Sequence, residues 1–149
     1  MKRRTTLTVL ITTLFLAAAA LASLSSMPAR ESARPASGDP AALAGIQRYA
    51  DPAELAALIE TGSPEHVLID VRTPAEYGGG FIPTAVNIPV DNIAADPPDV
   101  PKDRLVVVYC RSGNRSSRAA GILRDLGYTR VVDFGGIMRW QGGLQTPAS

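Results

Sequence analysis

Residues 105–120 constrain the fold more than any other stretch of this 149-residue chain. The apolar run Leu105-Val106-Val107-Val108-Tyr109-Cys110 leads into Arg111-Ser112-Gly113-Asn114-Arg115 and then Ser116-Ser117-Arg118-Ala119-Ala120. A β-branched run, a short glycine-containing loop and a helix start form a strand–loop–helix unit. Cys110, the single cysteine, therefore faces the free N–H groups and the positive end of a helix dipole. Both favour the thiolate, which is the nucleophilic form of a cysteine. A lone cysteine after Val-Val-Val-Tyr also fits a small buried apolar residue. A packing residue, however, has no use for Gly113, two flanking arginines and a helix start. Cys110 is thus the candidate catalytic residue, and Arg111, Ser112, Gly113, Asn114, Arg115 and Ser116 form the candidate anion-binding loop around it.

The rest of residues 45–145 alternates strands and helices. A first short strand is expected over 46–49. Asp51-Pro52-Ala53-Glu54 then reads as a capping box with proline at the first helical position, and Gly62 closes that helix. Strands are expected over 67–70 and 86–88, with a second capping pattern, Thr73-Pro74-Ala75-Glu76, between them. Residues 96–101 hold three prolines and read as a surface loop. The central strand is expected over 105–109. A helix over 116–126 would follow, with Ala119, Ala120, Ile122, Leu123 and Leu126 facing the core, capped by Gly127. The last strand is expected over 131–134. Continuous apolar strands alternating with helices imply a parallel sheet covered on both faces, an α/β fold.

The first 44 residues have a different character. Met1-Lys2-Arg3-Arg4 is a basic start, Leu7 to Ala22 is apolar, and Ala20-Leu21-Ala22 places small residues where a signal peptidase needs them. Residues 1–22 read as a signal peptide and the protein as periplasmic or secreted. The alternative is an uncleaved anchor facing outside the cytoplasm, although the run, with Thr12 and Thr13 inside it, is short for a span. No cysteine follows the apolar run, which excludes a lipoprotein. Residues 23–44, rich in Ser, Ala, Pro and Arg, read as a disordered linker. The remainder, roughly 105 residues, supports one small core. Fifteen basic residues stand against 14 acidic ones, and without Lys2, Arg3 and Arg4 the balance is 12 to 14, a net −2. That charge gives no nucleic-acid footprint. A free thiol in an oxidising compartment points to a reactive group rather than a staple.

Cys110-Arg111-Ser112-Gly113-Asn114-Arg115-Ser116 resembles the active-site loop of rhodanese-like sulfurtransferases. Asp70-Val71-Arg72-Thr73-Pro74-Ala75-Glu76-Tyr77 is similar to that family's first motif, and Ile82-Pro83-Thr84-Ala85-Val86-Asn87-Ile88-Pro89 to its second. Gly135-Gly136-Ile137-Met138-Arg139-Trp140-Gln141-Gly142-Gly143 resembles its C-terminal element. The resemblance covers about residues 46–144 and is to the exported, single-domain type. Two positions depart from it: Phe81 stands where the second motif carries histidine, and Thr84 where it carries glycine.

The resemblance implies a three-layer fold with a parallel five-stranded sheet. It also implies transfer of a sulfane sulfur from thiosulfate or a similar donor to cyanide or a thiol, through a Cys110 persulfide, with no metal or organic cofactor. Its expected partners are those small molecules alone, and the expected state is a monomer. Two alternatives remain beside the enzyme. One is a persulfide carrier without turnover. The other is a phosphatase or arsenate reductase, whose longer loop places arginine where Ser116 stands; here four residues separate Cys110 from Arg115. Asp70 is expected to anchor the cysteine loop or Arg72, or simply to cap the end of its strand. Arg72 reads as its ion-pair partner. His66 has no Cys or His companion and does not suggest a metal site. Trp140 and Tyr128 read as packing residues.

Overall fold

The computed structural model describes residues 40–148. The expected signal peptide and the part of the expected linker up to residue 39 therefore lie outside the described residues. The element order is α1 (Pro40–Ile46), a 3-10 turn (Gln47–Ala50), α2 (Pro52–Glu60), β1 (His66–Asp70), α3 (Pro74–Gly78), β2 (Val86–Asn87), β3 (Leu105–Cys110), α4 (Asn114–Asp125) and β4 (Val131–Gly136). A second 3-10 turn, Ile137–Arg139, follows β4. The strands form one parallel sheet in the order β2–β1–β3–β4.

All six residues of β3 are buried, as its unbroken apolar sequence requires of a central strand covered on both faces. The twofold alternation of a strand sends its side chains to opposite sides. Val106, Val108 and Cys110 join Ala119, Ala120 and Leu123 of α4 in one cluster. Leu105, Val107 and Tyr109 join Leu55 of α2, Leu68, Val132 and Phe134 in the other. Cys110 is therefore built into the sheet face that α4 covers, at the carboxyl end of the strand, where α/β sheets place their sites.

Three expectations are corrected. The sheet has four strands among the described residues rather than five, because residues 46–49 are not extended. Leu43, Ile46, Tyr49 and Ala50 recur at helical spacing and all meet the α2-side core, so the segment gains more burial as a helical turn than as a strand exposing every second residue. The Arg48 carbonyl accepts from the Asp51 N–H at 2.8 Å and closes that turn. Residues 40–44, read as linker, belong to α1 for the same reason, since Leu43 and Ile46 anchor them. Leu126 is 37% exposed rather than core-facing, because it caps α4 and lies past the last full turn.

The capping chemistry agrees with the sequence in one case and half agrees in the other. The Thr73 hydroxyl and the Glu76 carboxylate bond reciprocally to each other's backbone N–H, a complete capping box. Asp51 accepts from the Ala53 and Glu54 amides, but Glu54 does not return the bond and lies 3.6 Å from Arg48 instead.

The two departures from the family's second motif both prove structural. Phe81 is buried and stacks on Tyr77 with centroids 4.1 Å apart and planes 11° from parallel. Thr84 keeps a left-handed backbone, φ +70°, at the place of the family's glycine, so the preceding Gly78-Gly79-Gly80 does not take over that turn. A β-branched residue in this region is strained by about 1–2 kcal/mol, partly offset in glycine by its greater unfolded freedom. Thr84→Gly is therefore expected to stabilise the protein by about 1 kcal/mol, read as a rise of several degrees in the thermal midpoint. An unchanged or lower midpoint would show the strain to be compensated by contacts of the threonine itself.

Candidate active site

The loop after β3 closes tightly on the sulfur. Cys110 is completely buried, and its Sγ accepts the Gly113 N–H at 3.1 Å. Ser116 Oγ lies 3.7 Å from Sγ, within 2.9 Å of the Gly113 carbonyl and 3.3 Å of the Gly135 carbonyl. Gly113, at φ +109°, makes the reversal that turns the chain from strand into helix, a conformation that favours glycine. Helix α4 begins at Asn114, two residues before its expected start, which brings Asn114, Arg115 and Ser116 into the first turn. Ser112 and Asn114 are exposed at the rim. The back of the loop rests on β4, where a Cβ at Gly136 would lie 2.8 Å from the Arg111 carbonyl oxygen and 3.1 Å from Ser112 Cα. Only glycine allows that approach between backbones.

The thiol of Cys110 is shifted below its ordinary value. Burial is the largest single influence and opposes ionisation. It is outweighed by the Ser116 and Gly113 amides, the Ser116 hydroxyl and the Ser112 amide acting together. The two flanking arginines are not among the main causes. Since Cys110 is the only cysteine, thiolate absorbance against pH reads it directly. The midpoint is expected below about 8.5, the value of an unperturbed thiol. A midpoint at or above that value would mean that the loop amides do not serve the sulfur. Chemistry that needs the thiolate is then lost on the acid side as pH falls through this lowered value.

The arginines have separate fates. Arg115 Nη1 and Nη2 donate to Glu76 Oε2 and Oε1 at 2.7 and 2.8 Å, a two-pronged pair that ties the cysteine loop to the first turn of α3. Arg115 and, secondarily, the Thr73 groups hold the Glu76 carboxyl down from an ordinary 4.5 to about 2. A carboxylate lowered on folding contributes stability above its unfolded value, so this contribution fades only as pH falls from 4.5 through about 2. Glu76 was read from sequence only as a capping residue. Its place three residues into α3, facing the loop, is what gives it a second role. Arg111 is exposed and makes no ion pair with a described residue.

Asp70 and Arg72 meet each other and not the cysteine loop. Arg72 Nε donates to both Asp70 oxygens at 2.9 Å and Nη2 to Oδ2 at 2.5 Å. Nη2 also donates to the Gly80 carbonyl at 2.7 Å. Asn87 Nδ2 donates to the Asp70 and Arg72 carbonyls at 2.8 and 2.9 Å, a support not anticipated from sequence. The Tyr109 hydroxyl, beneath, accepts the Ile82 N–H at 3.1 Å. Together these bonds hold the turn after β1 and the glycine run beside the site. Tyr128 and Trp140 pack as expected: Tyr128 is buried with its hydroxyl on the Pro98 carbonyl, and Trp140 lies against the α2-side core. Arg139, unplaced by sequence, donates to the Phe134 carbonyl at 2.7 Å. His66 opens β1, opposite Leu105 of β3, at the far end of the sheet from Cys110.

The family profile named Rhodanese-like domain matches residues 51–142. A protein of Allochromatium vinosum named sulfurtransferase is 48% identical over 75 residues, which are 50% of this chain and 70% of that one. Thiosulfate sulfurtransferase PspE of Escherichia coli is 41% identical over 73 residues, covering 46% of this chain and 68% of its own length. Some relatives are much longer, and one is matched over 19% of its length. Among solved structures, a rhodanese-like domain protein from Staphylococcus aureus superposes with a TM-score of 0.58 at 29% identity, covering 65% of this chain and 95% of that one. The parallel α/β sheet agrees with these matches, and the chain belongs to the rhodanese-like family.

Proposed function

We propose that the protein is a sulfurtransferase that carries sulfane sulfur on Cys110. The observation that supports this most is the convergence of backbone N–H groups on a buried sulfur at the N-terminus of α4. In the first step the Cys110 thiolate attacks the outer sulfur of thiosulfate or a similar donor. The donor's S–S bond breaks, sulfite leaves with the electron pair, and a persulfide remains. In the second step cyanide or a thiolate attacks the outer sulfur, and the electron pair returns to Sγ. Splitting the transfer through a covalent intermediate lowers each barrier, and the loop amides from Arg111 to Ser116 stabilise the charge that develops.

Attraction of a dianionic donor falls to Arg111 and these amides, because the charge of Arg115 is already matched by Glu76. Arg115 instead fixes the loop. The close approach of Gly136 to the Arg111 carbonyl keeps the ring of amides small, which suits a sulfur bonded to Cys110 better than a tetrahedral oxyanion in front of it. The test is the intact mass of the protein after incubation with thiosulfate and removal of excess reagent. The expected result is the mass of one added sulfur atom, lost again on treatment with cyanide. A mass that never changes would overturn the reading.

We further propose export, on the basic start and apolar run of residues 1–22. Cleavage after Ala22 is expected to give a mature chain beginning at Ser23, read by N-terminal sequencing of the protein recovered outside the cytoplasm. Met1 retained in a membrane fraction would establish the anchor instead.

A further inference from the structure

Helix α3 has five residues, too few to hold its shape alone, since isolated helices shorter than roughly 12 residues are marginal in water. Yet it carries Glu76, whose carboxylate takes both terminal nitrogens of Arg115 in the cysteine loop. The capping box of Thr73 and Glu76 secures its first turn. Its other end runs into Gly78, Gly79 and Gly80, which bring no side chain to pack. Tyr77 therefore fastens that end, by its hydroxyl on the Ala85 carbonyl at 2.7 Å and by its ring on that of Phe81. Phe81 is in turn a fixed support. Its N–H donates to the Gln145 carbonyl at 2.8 Å and its carbonyl accepts the Gln145 N–H at 2.9 Å, an antiparallel bridge to the C-terminal segment. That segment is closed on itself, with Trp140 Nε1 donating to the Gly143 carbonyl at 3.1 Å. The N–H that follows Phe81, that of Ile82, donates to the hydroxyl of Tyr109, the neighbour of Cys110 in β3.

From this chain of contacts, and resting on the sulfur-transfer reading above, we propose that Phe81 is a positioning residue for the cysteine loop. Its ring is the surface on which α3 leans, and α3 aims Glu76 at Arg115. Arg115 sets the first turn of α4, where the loop amides converge on Sγ. Phe81 touches no reacting atom and acts only through this line of packed groups. Position 81 is one of the two at which the chain departs from the family's second motif. A histidine there would change its charge near neutral pH, in the range where a lowered thiol ionises; a phenyl ring has no charge to change. The support on which α3 rests therefore stays the same across the pH range in which Cys110 works.

The experiment takes two readings on the full protein: thiolate absorbance of Cys110 against pH, and the rate of sulfur loading from thiosulfate by intact mass. Phe81→Leu keeps an apolar side chain but removes the stacked face. It is expected to raise the Cys110 midpoint by about 0.5 to 1 on the pH scale, the equivalent of one weakened hydrogen bond. Loading at neutral pH should slow roughly tenfold or more, the scale on which a displaced reacting group responds. Phe81→Tyr, which keeps the ring, should match the parent in both readings. Glu76→Gln should shift both readings in the same direction as Phe81→Leu. Adding Phe81→Leu to Glu76→Gln should then change neither further, because the two act through one contact with Arg115. A midpoint unmoved by Phe81→Leu, or effects that simply add in the double variant, would overturn the proposal and leave the ring a packing residue. Should Phe81→Leu fail to fold, Gln145→Pro decides, since it removes one main-chain bond to Phe81 at an exposed position. A raised midpoint with slower loading is expected there too, and parental values would overturn the proposal. If the parent takes up no sulfur, the sulfur-transfer reading fails, while the Cys110 midpoints still decide whether Phe81 sets the loop.

Discussion

Cys110→Ser is expected to abolish formation of thiocyanate from thiosulfate and cyanide, by at least about a thousandfold, the scale on which enzymes respond to the loss of a covalent nucleophile. The thermal midpoint should stay close to that of the parent. A hydroxyl occupies nearly the space of the thiol and can still accept the Gly113 N–H that now reaches Sγ at 3.1 Å. What it cannot do is ionise. The loop amides hold the Cys110 thiol below its ordinary value, but a hydroxyl needs a neighbouring base to become a nucleophile. The site offers none. The single histidine, His66, begins β1 opposite Leu105, at the other end of the sheet. Glu76 is committed to Arg115 and to Thr73. A serine variant that kept the parent's rate would place the sulfur on some other group. The parent is also expected to leave phosphomonoesters intact, and hydrolysis of one faster than sulfur transfer would restore the phosphatase alternative.

The cysteine unit was legible in sequence because three local signals coincide there: an apolar run, a glycine at the reversal and a helix start. Their agreement fixed Cys110 at the end of a central strand, where β3 ends. The parallel arrangement followed from apolar strands alternating with helices and most of the α4 core face from periodicity, with Ala119, Ala120 and Leu123 fully buried as expected. Pairing between distant segments was not legible. Arg115 looked free because its partner, Glu76, lies 39 residues away and already had a local explanation in the capping box. Asn87 reaches the Asp70 and Arg72 carbonyls across gaps of 17 and 15 residues. Residues 46–49 failed for a different reason: four residues are too few to separate a period of two from a helical one, and the deciding contacts of Leu43 and Ala50 lie on either side. Thr84 shows the complementary case, since the turn is held by its surroundings and imposes a left-handed backbone on a residue that would not choose it.

Asp70→Ala is expected to cost the most stability of any polar substitution around the site. Asp70 is fully buried and Arg72 is 7% exposed, so the guanidinium has little access to water. Removing the carboxylate leaves that charge with the Gly80 carbonyl as its remaining side-chain bond. Breaking one side of such a buried pair typically costs about 3–5 kcal/mol, a large share of the 5–15 kcal/mol that usually holds a domain together. For a domain of about this size the thermal midpoint should fall by more than about 10 °C, with a matching shift in the urea midpoint. Asp70→Asn, which keeps the shape and an acceptor for Arg72, should lose less. The decisive comparison is the double variant Asp70→Ala with Arg72→Met. If the loss comes from a stranded cation, removing the cation should recover most of it; a double variant as unstable as the sum of the singles would locate the cost in packing instead. No hydrogen bond or ion pair joins Asp70 or Arg72 to residues 111–116, so variants held well below their midpoints should still take up sulfur on Cys110. Failure of a fully folded Asp70→Asn protein to do so would move this ion pair from the scaffold into the chemistry.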